Sequence, residues 1–270
     1  MIKLRLSGGL GNQLFQIAAA NHIAYILNKK FTIDLSFYNR DIENNTSRNL
    51  VITKIFNLPI KYVEFSLFER LLIKLKFTNF LAFNILNDNN YKCFKSLNEK
   101  NIFLMQGYFQ NHLFFKDSIE ILKKSINLKR NTLKNSVSIH IRRGDYLLPE
   151  NQNYFAKCSL DYYKHSILKL SKLIKLDNHS FYIFSDDIDW CKRNIKLDYK
   201  TIFRDSYDEV EDFLFMSNCE NNIISNSTFS WWAAYLNDYK YKRVIAPKEW
   251  YKHRKTTNNF YPKSWIKMKN

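Results

Sequence analysis

Residues 2–6, IKLRL, alternate apolar and polar positions, and that period of two predicts a short strand. SGGLG (7–11) reads as a tight loop. Residues 12–30 then place apolar side chains at helical spacing, with Asn12 near the cap and lysines in the last turn. FTIDL (31–35) predicts a second strand, so the chain opens on a strand–loop–helix–strand unit, which favours a parallel sheet. Residues 36–60 are polar and irregular. Residues 62–87 read as a helix, with Leu67, Leu71, Leu72 and Leu75 on one face and Arg70, Lys74 and Lys76 among them. Such a helix either faces a core or lies on a membrane. NIFLMQGYFQNHLFF (101–115) starts as a strand and continues into aromatics.

A second α/β set begins near residue 133. SVSIHI (136–141) alternates as a strand, and 159–175 is an amphipathic helix with Ser159 placed to cap it. HSFYIFSDD (179–187) is a strand ending in acids. Residues 208–220 form a helix with acids in the first turn, where the helix dipole favours them. Residues 221–236 read strand, polar loop, helix, and 243–250 a last strand with its exit loop. The fold class expected is therefore α/β, with two Rossmann-like domains, 1–132 and 133–270, joined near 116–132.

Composition narrows the function classes. The chain has 270 residues, of which 46% are apolar and 16% aromatic, enough for a real core. Its net charge of +17 suits polyanionic partners: nucleic acid, an anionic membrane or a phosphate-bearing substrate. The cations are scattered, and neither a helix-turn-helix, an RRM nor a zinc pattern is present, which argues against nucleic acid. Cys93, Cys158, Cys191 and Cys219 form no CxxC pair, so neither a zinc site nor a disulfide framework is indicated. The start MIKLRLSGG is too short and charged for a signal peptide, and no apolar run reaches the roughly 18 residues of a membrane span. A cytoplasmic protein with reduced thiols is expected.

Four stretches could carry chemistry. In GGLGNQL, Gly9 and Gly11 follow a strand and open a helix, as in a dinucleotide site with Asp34 as ribose acid. The third glycine position holds Leu14, against that reading, yet a close backbone approach beside Asn12 and Gln13 survives it. A plain tight turn explains the glycines equally. HIRRGDY puts Arg142 and Arg143 where a strand ends, suited to two phosphate oxygens, with Gly144 for the turn and Asp145 to hold an arginine. A surface salt-bridge cluster is the other reading. FSDDIDW offers Asp187-x-Asp189, matching a metal-binding acid pair or a helix cap. SNSTFSWW collects Ser225, Asn226, Ser227, Thr228 and Ser230 before a helix, either a phosphate cradle or an ordinary cap.

Taken in order, GGLGNQLFQ, GYFQ, HIRRGDY, FSDD and NSTFSWWAAYL resemble the bacterial α-1,2-fucosyltransferases of glycosyltransferase family 11, over residues 8 to about 236. The resemblance implies a GT-B architecture: an N-terminal acceptor domain and a C-terminal GDP-fucose domain facing each other across a cleft. It implies transfer of fucose from GDP-fucose with inversion and without a metal ion, so Asp187-x-Asp189 gives way to a donor-pocket role for Asp186 and Asp187. By the same resemblance, Arg142 binds the β-phosphate, Arg143 adds charge to the donor site, His140 lies against the guanosine and Asp145 orients the arginine loop. The Thr228–Ser230 loop, with Ser227 before it, donates to the phosphates, and Asp212 reads the guanine edge. Asn12, in the loop of Gly9, Gly11 and Gln13, faces fucose from the acceptor side. The implied acceptor is a β-galactoside-terminated glycan or lipid-linked oligosaccharide, and the basic surface would suit peripheral contact with an anionic inner membrane. Another GDP-sugar, linkage or acceptor is the competing enzyme reading.

Overall fold

The computed structural model describes residues 2–35, 38, 50–55, 61–63, 66, 71, 83–90, 102–126, 131–206 and 208–270. The chain divides into two compact units, residues 1–127 and 128–270.

In the first unit, strand β1 (Ile2–Arg5) leads into helix α1 (Leu10–Ile26), then β2 (Phe31–Asp34), the short helix α2 (Ile52–Ile55), β3 (Lys61–Val63), β4 (Phe83–Leu86), β5 (Ile102–Met105) and α3 (Ile119–Ser125). The five strands among the described residues are parallel, in the order β3-β2-β1-β5-β4. Nearly all of α1 is buried, because Leu14, Phe15, Ile17 and its alanine run line the helix almost all round. The expectation of a helix over 12–30 needs correcting at both ends. The helix begins at Leu10 with Gly9 as its cap, so Asn12 lies in the first turn. It stops at Ile26, before the lysines, and Asn28 then takes a positive φ of 48°. The helix expected over 62–87 is also corrected: its two ends are the strands β3 and β4. Leu67, Leu72, Leu75, Arg70, Lys74 and Lys76 lie outside the described residues.

The second unit runs β6 (Leu133–Ile141), α4 (Pro149–Gln152), α5 (Leu160–Ser171), β7 (Ser180–Ser185), α6 (Ile188–Asn194), β8 (Lys200–Phe203), α7 (Glu209–Asn218), β9 (Cys219–Ile223), α8 (Thr228–Leu236), β10 (Val244–Pro247) and β11 (Ile266–Met268). Its six parallel strands lie in the order β11-β10-β9-β6-β7-β8, a doubly wound arrangement whose order reverses between β6 and β9. Val137, Ile139 and Ile141 turn one way, into a core with Tyr162, Tyr163, Ile167 and Leu170 of α5 and Phe181 and Ile183 of β7. Ser138 and His140 turn the other way and meet polar partners: Ser138 Oγ accepts from Asn222 Nδ2 at 2.7 Å. Ser159 caps α5 by accepting from Tyr162 N. Trp231 and Trp232 are fully buried anchors, Trp231 donating to Phe260 O at 3.1 Å and stacking on Tyr235.

Candidate active site

Parallel register assembles the arginine cluster. β6 pairs with β7 so that Ile141 lies opposite Ser185, which brings the residues after both strands side by side. Arg142 Nη1 then meets Asp186 Oδ2 at 3.0 Å, and Nη2 meets Asp145 Oδ1 at 2.7 Å. Burial alone would favour a neutral group here, but the carboxylates of Asp186 and Asp145 outweigh it and hold the guanidinium charged. Arg143 goes elsewhere. Its Nε pairs with Asp187 Oδ2 at 3.1 Å, its guanidinium lies 3.6 Å from the centre of the Trp190 ring, and its backbone N–H donates to Asp186 Oδ1 at 2.8 Å. Two adjacent arginines therefore have different work: Arg143 is tied into the wall, while Arg142 is held on two carboxylates at the strand end. The two arginines and the three acids carry about one net negative charge, so an anion approaching Arg142 would compete with Asp145 and Asp186 for it.

On the other side of β6, His140 is buried, with Nδ1 at 2.8 Å from Ser225 Oγ and 2.9 Å from Ser230 Oγ. Burial, with Arg142 adding to it, lowers its pKa to about 3, so the ring is neutral across the physiological range. Ser230 spends its hydroxyl on His140 and on Ser227 O, and it is fully buried. The Thr228–Ser230 stretch expected as a loop is the first turn of α8, because Ser227 takes extended angles and the helix starts directly after it. Backbone N–H groups at that end lack intrahelical partners, so the turn offers donors whether or not its hydroxyls do.

Asp187 accepts from Trp190 N at 3.2 Å and caps α6, while Asp189 faces Lys192 at 3.6 Å. The two acids do not converge, and no group of three metal-ligating side chains occurs among the described residues. Asp212, on α7, has Oδ1 3.8 Å from Arg204 Nε, and burial, partly offset by Arg204, raises its pKa to about 6. A cavity of about 550 Å³ at the carboxyl end of β8 is lined by Arg204, Asp205, Asp208 and Glu211, and Asp212 adjoins it through Arg204 without lining it. Sequence reasoning missed Arg204, whose Nη2 pairs with Glu211 at 2.7 Å and which stacks over Phe215. The signal available was Arg204-Asp205 directly after KTIF, a strand too short to stand out. Tyr146 was passed over as well; its hydroxyl donates to Asn226 O at 2.7 Å and ties the arginine loop to the loop after β9.

In the first unit, the glycine loop is built on amides. Gln13 Nε2 donates to Gly8 O at 3.0 Å, and Gln13 Oε1 accepts from Ile52 N at 3.2 Å. Tyr38 donates to Gly8 O at 2.7 Å, and Asn12 Oδ1 accepts from Gln110 Nε2 at 3.1 Å. Gly9 ends the loop as the helix cap, and Gly11 is buried in the first turn of α1. Asp34, the ribose acid of a dinucleotide reading, is fully buried and faces Arg5 at 3.8 Å. Both sheets thus place their candidate residues beyond strand carboxyl ends, next to the strands where the order reverses.

Two parallel α/β sheets with polar groups beyond their strand ends are the architecture of GT-B proteins. The chain belongs to glycosyl transferase family 11, whose model matches residues 1–269. It is 31% identical to an α-1,2-colitosyltransferase of Escherichia coli, over 99% of each chain. It is 24% identical to a galactoside 2-α-L-fucosyltransferase of Caenorhabditis elegans, over 99% of this chain and 79% of that one. Among solved structures it is similar to POFUT1 in complex with GDP-fucose, with a TM-score of 0.50 at 12% identity, covering 91% of this chain and 97% of that one. No helix among the described residues is long and apolar enough to cross a membrane.

Proposed function

We propose that the chain is a fucosyltransferase that moves L-fucose from GDP-β-L-fucose to the 2-hydroxyl of a terminal galactose on a glycan, with inversion and without a metal ion. The observation that carries the reading is Arg142, held by Asp145 and Asp186 at the end of β6, the strand whose His140 meets Ser230 in the first turn of α8. Its two ion pairs leave further N–H donors of the guanidinium for phosphate oxygens. Residues 133–270 bind the donor in this reading, and residues 1–132 serve the acceptor side. The leaving GDP develops charge as the fucosyl bond breaks, and Arg142 with the α8 N–H groups stabilises it where a metal-dependent enzyme would use a cation. None of the acids named above is placed as a dedicated base, so the acceptor proton passes to the departing phosphate in a loose displacement at the sugar carbon. Asp212 accepts from the guanine edge, and neutral His140 holds the serines behind the nucleotide.

A second donor has a specific observation behind it, the likeness to a colitosyltransferase. Colitose is fucose without its 3-hydroxyl, so the same phosphate site would serve either sugar. The test is a donor panel of GDP-fucose, GDP-colitose and GDP-mannose with lactose as acceptor, with and without EDTA, read by product mass and linkage NMR. Transfer from GDP-fucose that persists in EDTA supports the proposal. Transfer from GDP-colitose alone moves it to the second donor, and loss in EDTA overturns the metal-free mechanism. With a net charge of +17, the protein is also proposed to touch anionic membranes carrying a lipid-linked acceptor. Sedimentation with anionic liposomes that does not weaken in salt would remove that part.

A further inference from the structure

The strand order of the first unit reverses beside β1 and β5, and the loops leaving these two strands meet there. One is the glycine loop, with Gly8 at φ 79°. The other is QGYFQ (106–110), which carries Phe109 at φ 53° although its side chain is fully buried. Positive φ at a bulky residue costs about 1–3 kcal/mol and persists only where the surroundings impose it. Asp88 supplies that constraint: its carboxylate accepts from Tyr108 N at 3.0 Å and from Phe109 N at 2.5 Å. A side chain at Gly107 would lie 2.7 Å from Asp88 Oδ2 and 3.1 Å from its backbone N, so only glycine lets the carboxylate lie this close. Gln16 Nε2 ties Gly107 O to α1 at 3.0 Å. The bent loop delivers Gln110 to Asn12, where Gln110 Nε2 donates to Asn12 Oδ1 at 3.1 Å. That bond fixes which way the Asn12 amide faces. Its NH₂ lies over Gly8, where even a Cβ would come within 2.9 Å, and makes no hydrogen bond to a described residue.

We infer that Gln110 is a positioning residue, held by the Asp88-capped turn, that locks the Asn12 amide with its NH₂ outward as a donor for the sugar or its leaving oxygen. The inference rests on the reading above that Asn12 faces the transferred sugar. Amide orientation is otherwise free to reverse, which would present a carbonyl oxygen in place of a donor. Gln110→Glu keeps the shape but removes the N–H that Asn12 Oδ1 accepts, so it reverses the preference.

The experiment compares Asn12→Ala, Gln110→Glu and the double variant in the transfer assay, with melting temperature measured alongside. The expected result is a kcat about tenfold or more lower in each single variant, with donor KM within about threefold of wild type. The double variant is no worse than Asn12→Ala, because the positioning effect of Gln110 passes through Asn12. An active Gln110→Glu beside an impaired Asn12→Ala overturns the inference and leaves the Asn12 reading standing. So does a double variant whose losses multiply. A fully active Asn12→Ala overturns both. A fall in melting temperature that accounts for the lost activity of Gln110→Glu would make the bond merely structural, against the inference.

Discussion

Replacing Gly144 by alanine should disarm Arg142 without touching it. Gly144 does not have a positive φ, so its backbone tolerates alanine. The new Cβ would lie 2.5 Å from Asp186 Oδ2 and 3.0 Å from its Cγ. Carbon contacts relax at about 3.5 Å, so Asp186 must retreat by about 1 Å. That retreat stretches two bonds, to Arg142 Nη1 at 3.0 Å and to Arg143 N at 2.8 Å. Charge-assisted bonds contribute about 1.5–3 kcal/mol when well shielded. With Asp186 about a quarter exposed, screening reduces the stability cost to about 1 kcal/mol. The melting temperature should drop by about 2–4 °C. Activity should suffer more, since a misplacement of about 1 Å in a charge-stabilising group can cost about 100-fold. Initial rates of GDP release at varied donor concentration give kcat/KM for wild type, Gly144→Ala, Asp186→Ala and the double variant. In the Asp186→Ala background the Cβ has nothing to displace, so adding Gly144→Ala should cost nothing further. A Gly144→Ala enzyme within threefold of wild type, or a loss that multiplies with Asp186→Ala, would refute the reasoning.

Other consequences can be read in the same assays. Arg142→Ala removes the guanidinium that bridges Asp145 and Asp186 and should lower kcat/KM about 1,000-fold, while Arg142→Lys, which cannot fork across both acids, recovers only part of it. Asp212 is protonated below its raised pKa of about 6, so donor KM should climb as pH falls through 6, and Asp212→Asn should flatten that profile. For stability the sign is opposite: with its folded pKa above the unfolded value of about 3.9, the buried ionised form is the costly one, so Asp212→Asn should raise the melting temperature more at pH 7.5 than at pH 5. Gly8→Ala meets both a positive φ of 79° and the Asn12 amide at 2.9 Å, and should destabilise by about 1–2 kcal/mol while lowering kcat.

Alternation and capping made β1, β6, β7, α5 and α7 legible, because each carries an uninterrupted period or a side-chain cap such as Ser159. Failures came where local pattern was too brief or was overridden. KTIF and IKM are three or four residues long and become strands only by pairing beside β7 and β10. The apolar spacing of 62–87 suggested one helix, yet Lys61–Val63 and Phe83–Leu86 are drawn into the first sheet. At the candidate site, Arg142, Asp145 and Asp186 could be named from strand ends alone. Which acid pairs with which arginine could not, because that follows from the register of β6 on β7. Arg204 stayed hidden behind the strand that positions it, and Gln110 behind a backbone conformation that no local sequence signal announces.

The most direct measurement is calorimetric titration of GDP into wild-type protein and into Arg142→Ala, each with and without EDTA. One GDP should bind per chain, unaffected by EDTA, with binding lost or weakened at least 100-fold in the variant. Equal binding by both proteins, or binding that requires a divalent ion, would contradict an arginine-centred donor site.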